Sequence, residues 1–177
     1  MRSTLVIYVF VLLLYSCYHK QNEDVPLMNE QEVKEHMMNA NRIFVQQQAE
    51  EIKEFINRHR WKMQQSGTGL HYEIYKNGSG LLPESNSIVS IAYSLYLLDG
   101  TFCYKVDSAK PLTFVLGKGQ QPRGLEEGIL LMNQGSKTKL VVPSHLAYGS
   151  IGDENKIPGN SALLYDVTLL KIKNARQ

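Results

Sequence analysis

The stretch from residue 89 to residue 97 constrains this chain most. Val89, Ile91, Tyr93, Leu95 and Leu97 alternate there with Ser90, Ala92, Ser94 and Tyr96. Successive side chains of a strand point to opposite faces, so the spacing predicts one long strand with a single buried face. The turn pair Asp99-Gly100 ends it. The same period returns late in the chain, where Leu163, Tyr165, Val167 and Leu169 face one way and Asp166 and Thr168 the other. Shorter strands are predicted at 70–75, stopped by Asn77-Gly78-Ser79-Gly80, and at 112–116 and 137–142. A short helix fits 124–132. Glu126 and Glu127 in its first turn favour the helix dipole, and Gly135 supplies a stop.

Residues 29–63 contain neither Gly nor Pro. Val33, Met37, Ala40, Phe44, Ile52, Phe55 and Ile56 recur at roughly helical spacing, and Asn29 with Glu32 three residues on is a capping signal. One long helix or two short ones are expected. Its apolar stripe packs on its own domain in the plainer reading; in the other it dimerises or binds a client. Ser66-Gly67-Thr68-Gly69 breaks the helix. The expected fold is α+β: a twisted antiparallel sheet crossed by one short helix and preceded by an N-terminal helical segment.

The N-terminus reads as a targeting signal. Arg2 precedes an almost wholly apolar run at 5–15, too short to span a bilayer core, which needs about 20 apolar residues. Leu14-Tyr15-Ser16-Cys17 then resembles a bacterial lipobox. That resemblance implies a signal peptide over 1–16, a lipidated (palmitoylated) Cys17, and a protein anchored in the bacterial envelope, with the outer membrane as the expected site. An ordinary cleaved signal, with Cys17 incidental, is the alternative. Residues 17–66 then form a tether and helical segment, and 67–177 the main domain. With Cys17 lipidated, Cys103 has no partner and no disulfide framework exists.

Composition excludes several functions. A net charge of +2, with scattered basic residues, gives no footprint for nucleic acid. The five histidines show no metal-ligand spacing, so no metal and no cofactor are expected. Ser144-His145 has no assigned acid, Gly117-x-Gly119 lacks the third glycine of a dinucleotide loop, and the adjacent Glu126 and Glu127 diverge on a helix. No nucleophile and base stand out.

One order of motifs remains: Lys110-Pro-Leu-Thr-Phe-Val-Leu-Gly-Lys118, Arg123-Gly-Leu-Glu-Glu-Gly, Ala147-Tyr148-Gly149, Ile157-Pro158-Gly159 and the closing strand 162–172. Over residues 67–173 this order resembles the FKBP-type peptidyl-prolyl cis-trans isomerases. Among them it looks closest to the lipobox-bearing isomerases associated with gliding motility in Bacteroidetes. The resemblance implies a ligand pocket between helix and sheet, and proline-containing protein clients. It implies catalytic roles for Tyr148, Ile157 and Tyr93. Substrate-binding roles fall to Tyr165, Leu125, Phe114, Leu112, Gln121, Pro122, Cys103 and Tyr104. For Phe114 plain core packing is the stronger reading. The pattern departs at four places. Leu125 stands for the usual Trp floor, and Cys103-Tyr104 (or Phe102-Cys103 on a shorter turn) for a Phe-Asp pair. Leu112 replaces an aromatic and Asp153 a loop histidine. Two functions are weighed: an isomerase assisting the folding of exported or envelope proteins, and an FKBP-fold chaperone or interaction module with little turnover.

Overall fold

The computed structural model describes residues 29–173; the proposed signal peptide and Cys17 lie outside them. The chain divides into two compact units, Met1–Ala40 and Asn41–Gln177. Helix α1 runs Glu30–His59. Its start is the reciprocal box read from the sequence: Glu32 N donates to Asn29 Oδ1 at 2.9 Å, and Asn29 N to Glu32 Oε2 at 3.0 Å. Its end is a Schellman turn made without glycine. Arg60 takes φ 56°, Arg60 N donates to Asn57 O and Trp61 N to Ile56 O. Within the first unit the described helical residues are all exposed, Met37 at 68% among them.

Among the described residues seven strands form one antiparallel sheet: β1 Gln64–Gln65, β2 His71–Lys76, β3 Ile88–Leu97, β4 Phe102–Val106, β5 Leu112–Val115, β6 Lys137–Val142 and β7 Leu163–Lys173. The order is β1-β2-β6-β7-β3-β4, with β5 also paired to β3. β3 holds the centre. It pairs with β7 along its whole length, and its other edge is shared, with β5 opposite 88–91 and β4 opposite 93–96. The strands expected at 70–75, 89–97, 112–116, 137–142 and 162–172 all form within a residue or so. β1 and β4 were not expected.

Helix α2, Arg123–Leu130, lies on one face of the sheet. Two glycines allow the approach: a Cβ at Gly124 would come 2.4 Å from Val142 Cγ1, and one at Gly128 would come 2.5 Å from Leu140 Cδ1. Val89, Ile91, Leu95, Leu125, Ile129, Leu140, Val142, Tyr165 and Val167 bury together there. β6 is buried on both faces. Leu140 and Val142 join that core, while Val141 between them joins Ile52, Phe55, Ile56 and Ala162 on the other side. The C-terminal half of α1 therefore covers the second face of the sheet, and the sheet carries a helix on each side. Each of Ile52, Phe55 and Ile56 contributes up to about 1.5–3 kcal/mol by burial.

Candidate active site

The candidate side chains arrive from six places and meet in one cluster. β3 brings Tyr93, β4 Cys103 and Tyr104, β5 Leu112 and Phe114, α2 Leu125, and β7 Tyr165. The loop between β6 and β7 brings Tyr148 and Ile157. Cys103, Phe114, Leu125, Ile157 and Tyr165 are buried in this core, and Tyr93, Tyr104, Leu112 and Tyr148 pack half-buried against it. Gln121 and Pro122, also partly buried, lie at the head of α2. The loop before them is tied down by Glu126, whose carboxylate accepts from Gly117 N at 2.7 Å and Gln121 N at 3.3 Å. Clefts of about 560 Å³ beside Phe55 and Leu98 and about 380 Å³ beside Gly67 and His145 are lined by none of the candidates. A cleft of about 200 Å³ is lined by one candidate, Tyr93, together with Ala92, Asp107 and Asp166.

The floor is closed. Ile157 is 2% exposed and Tyr165 1%, and the smaller Leu125 is fully buried. Phe114, at 5%, is buried as well. Above the floor stand three tyrosines. The Tyr93 and Tyr165 rings meet edge to face at 5.5 Å. Burial pushes the hydroxyl of Tyr93 above its ordinary pKa, with a smaller push from neighbouring Tyr148. Burial also dominates at Tyr165 and Tyr148. The contact between these two raises Tyr165 and lowers Tyr148. Tyr148 ends above its ordinary value, so it stays protonated through neutral pH and keeps its own proton to donate. Burial likewise holds the Cys103 thiol neutral, and it forms a small apolar wall.

The loop carrying Ile157 is fastened to β4. Tyr104 donates its hydroxyl to Asp153 Oδ2. Asp153 Oδ1 accepts from Ile157 N at 2.7 Å and Asn155 N at 3.0 Å. Lys156 Nζ donates to Cys103 O at 3.0 Å and lies 5.2 Å from the Tyr104 ring centroid. Gly152 is needed in the same loop, because at φ 82° a Cβ would come 2.1 Å from Ile157 O. In sequence Asp153 reads only as a departure from a pattern, and Tyr104 as a departure and a substrate-binding candidate. Here each replacement finds its partner in the other. Tyr104 stands opposite Leu95 in the β3–β4 register, and its neighbour Cys103 also reaches the loop, with Sγ 4.0 Å from Lys156 O.

These elements can seat a small apolar ring against buried aliphatic and aromatic walls and present a neutral hydroxyl beside it. They include no nucleophile paired with a base. The FKBP-type peptidyl-prolyl cis-trans isomerase signature matches residues 81–170. The chain is 44% identical over 107 residues to the FKBP-type peptidyl-prolyl cis-trans isomerase FkpA of Aeromonas hydrophila, covering 60% of this chain and 39% of that protein. It is 39% identical over 111 residues to the probable FkpA of Neisseria meningitidis, with the same coverage, and so spans about two fifths of either relative. Against the peptidyl-prolyl cis-trans isomerase Fkbp12 of Drosophila melanogaster it is 40% identical over 92 residues, covering 51% of this chain and 85% of that one. The chain belongs to the FKBP-type peptidyl-prolyl cis-trans isomerase family.

Proposed function

We propose that this protein accelerates rotation about X-Pro bonds without covalent chemistry, in the cluster under the loop of residues 144–160. The barrier is amide resonance, about 18–20 kcal/mol. Surroundings that fit the twisted amide better than the planar one lower it. The proline ring seats against Tyr93, Leu125, Ile157 and Tyr165, with Gln121, Pro122, Leu112, Cys103 and Tyr104 on the walls. The Tyr148 hydroxyl donates to the substrate carbonyl. The observation that carries this reading is the convergence of one buried tyrosine, Tyr165, and two half-buried ones, Tyr93 and Tyr148, on one apolar cluster. The clients are proline-containing exported or envelope proteins, whose X-Pro isomerisation takes tens of seconds unaided. The envelope placement rests on the lipobox-like Leu14-Tyr15-Ser16-Cys17 and on the bacterial FkpA relatives.

A second reading has an observation of its own. Leu125, Cys103 and Ile157 are closed over, and a pocket closed in this way suits a binding module that holds unfolded clients without turnover. The two separate in one experiment, the cis-to-trans rate of proline peptides set beside suppression of client aggregation. Turnover on any peptide favours the enzyme. Suppression without turnover favours the module. Lipidation is tested separately: native protein should partition into detergent and carry a mass increment at Cys17, and Cys17→Ala should abolish both. A free, unmodified amine at a different N-terminus would sink the anchor.

A further inference from the structure

We infer that Gln48 is a positioning residue of the isomerase site: from helix α1 its amide closes both ends of the loop 144–160 and so sets where Tyr148 and Ile157 stand. The inference rests on the isomerase reading above.

Gln48 occupies a place where an apolar side chain is expected. It falls in the stripe of Phe44, Ile52 and Ile56, four residues apart, and is only 4% exposed. Its Oε1 accepts from Ser144 N at 2.8 Å and Ser144 Oγ at 2.9 Å. Its Nε2 donates to Asn160 O at 2.8 Å. Ser144 opens the 3-10 turn Ser144–Leu146 just after β6, and Asn160 stands just before β7. The same two residues are tied inside the loop. Gly149 N donates to Ser144 O at 2.8 Å, and Asn160 N to Gly149 O at 2.7 Å. Gln48, Ser144, Gly149 and Asn160 thus make a closed ring of hydrogen bonds, and Gly149 directly follows Tyr148.

The chemistry of the ring asks for an amide. One end needs an acceptor and the other a donor, and a carboxamide supplies both. Leucine would fill the space and leave a buried Ser144 N–H without a partner. The ring would then open, and the loop would lose its two fixed ends while keeping its fastening to β4. A slot that works by fit is sensitive to such a shift, since a misplacement of about 1 Å costs catalysis.

The test uses the full chain in detergent and compares Gln48→Leu with Phe55→Leu, a change on the same helix that touches the second face of the sheet and not the loop. Two readouts are taken well below both melting temperatures: kcat/KM on a Leu-Pro peptide, and amide hydrogen exchange over 144–160. Phe55→Leu should lower Tm and leave both readouts near wild type. Gln48→Leu should reduce kcat/KM about fivefold or more and speed exchange about tenfold across the loop. Equal effects of the two variants would overturn the inference, and so would unaltered exchange in Gln48→Leu. If Gln48→Leu does not fold, Gln48→Asn decides, since its amide is one methylene too short to reach both ends: faster exchange at Gly149 and Asn160 supports the ring, and unchanged exchange overturns it. If wild type turns over no peptide, the isomerase reading fails by itself, and the exchange comparison still decides whether the helix holds the loop.

Discussion

The Tyr104 hydroxyl is one of two ties from the pocket loop to β4, and Tyr104→Phe removes it while keeping the ring under Lys156. The loop should stay anchored by Lys156 and by its own hydrogen bonds, so kcat/KM should fall only roughly two- to tenfold, with melting near wild type. Acid should act on the same pair. Burial pushes the Asp153 carboxyl up, but the bonds from Tyr104 and from the amides of Ile157 and Asn155 outweigh it and hold the carboxyl below its ordinary 3.8. A lowered native value means the stabilisation is whole above 3.8 and is lost as pH falls through that lower value. Loop exchange in wild type and in Tyr104→Phe should therefore differ at neutral pH and converge in strong acid. Tyr148 shifts the other way, so the donor itself should leave kcat/KM flat up to about pH 9. Tyr148→Phe should cost roughly tenfold or less, from a net neutral hydrogen bond of about 0.5–1.5 kcal/mol. Ile157→Asp should lower Tm as well as rate, because the side chain is 2% exposed and the variant buries a charge. The motif order in the sequence located Tyr148 and Ile157. It could not show how deep Ile157 lies, nor that Tyr104 and Asp153 meet, because that depends on a hairpin register and on a contact across 49 residues.

At the scale of elements, the strands that alternate cleanly were legible. In β7 the side-chain period is the burial pattern itself, and β3 follows it at Val89, Ile91 and Leu95, with Ala92 buried besides. β4 escaped because Phe102-Cys103-Tyr104 carries three large or apolar residues in a row, of which Phe102 is exposed and Cys103 buried. β1 is two polar residues long and offers no pattern. Helix α1 was legible at its start through Asn29 and Glu32, and its stripe was seen. Its destination was not, because Val141 reads as one more residue of an apolar run until β6 is known to be buried on both faces. The sequence places a domain boundary in the glycine-rich break at 66–69. The burial of Ile52, Phe55 and Ile56 against Val141 and Ala162 predicts that residues 41–177 melt at a clearly higher temperature than residues 67–177. Equal melting temperatures, with the shorter fragment still cooperative, would show that α1 adds no stability to the sheet.

For the whole molecule, the account joins a family fold to a site altered at several of its walls. The proposed chemistry needs no residue that acts as acid, base or nucleophile, so Leu125 where the resemblance implies Trp, and Cys103 where it implies Phe, change the fit without deleting a reacting group. A loop fixed at both ends by Gln48 and at its tip by Tyr104 and Asp153 would compensate by holding Tyr148 and Ile157 still. The most direct test is the cis-to-trans rate of a peptide series in which the residue before proline is varied, measured with the full chain and with Tyr148→Phe. The account predicts a rate above the uncatalysed one, proportional to protein concentration, for a peptide with Leu before proline, and a roughly tenfold or smaller loss in Tyr148→Phe. No rate above background on any peptide, with wild type still suppressing aggregation of an unfolded client, would contradict it.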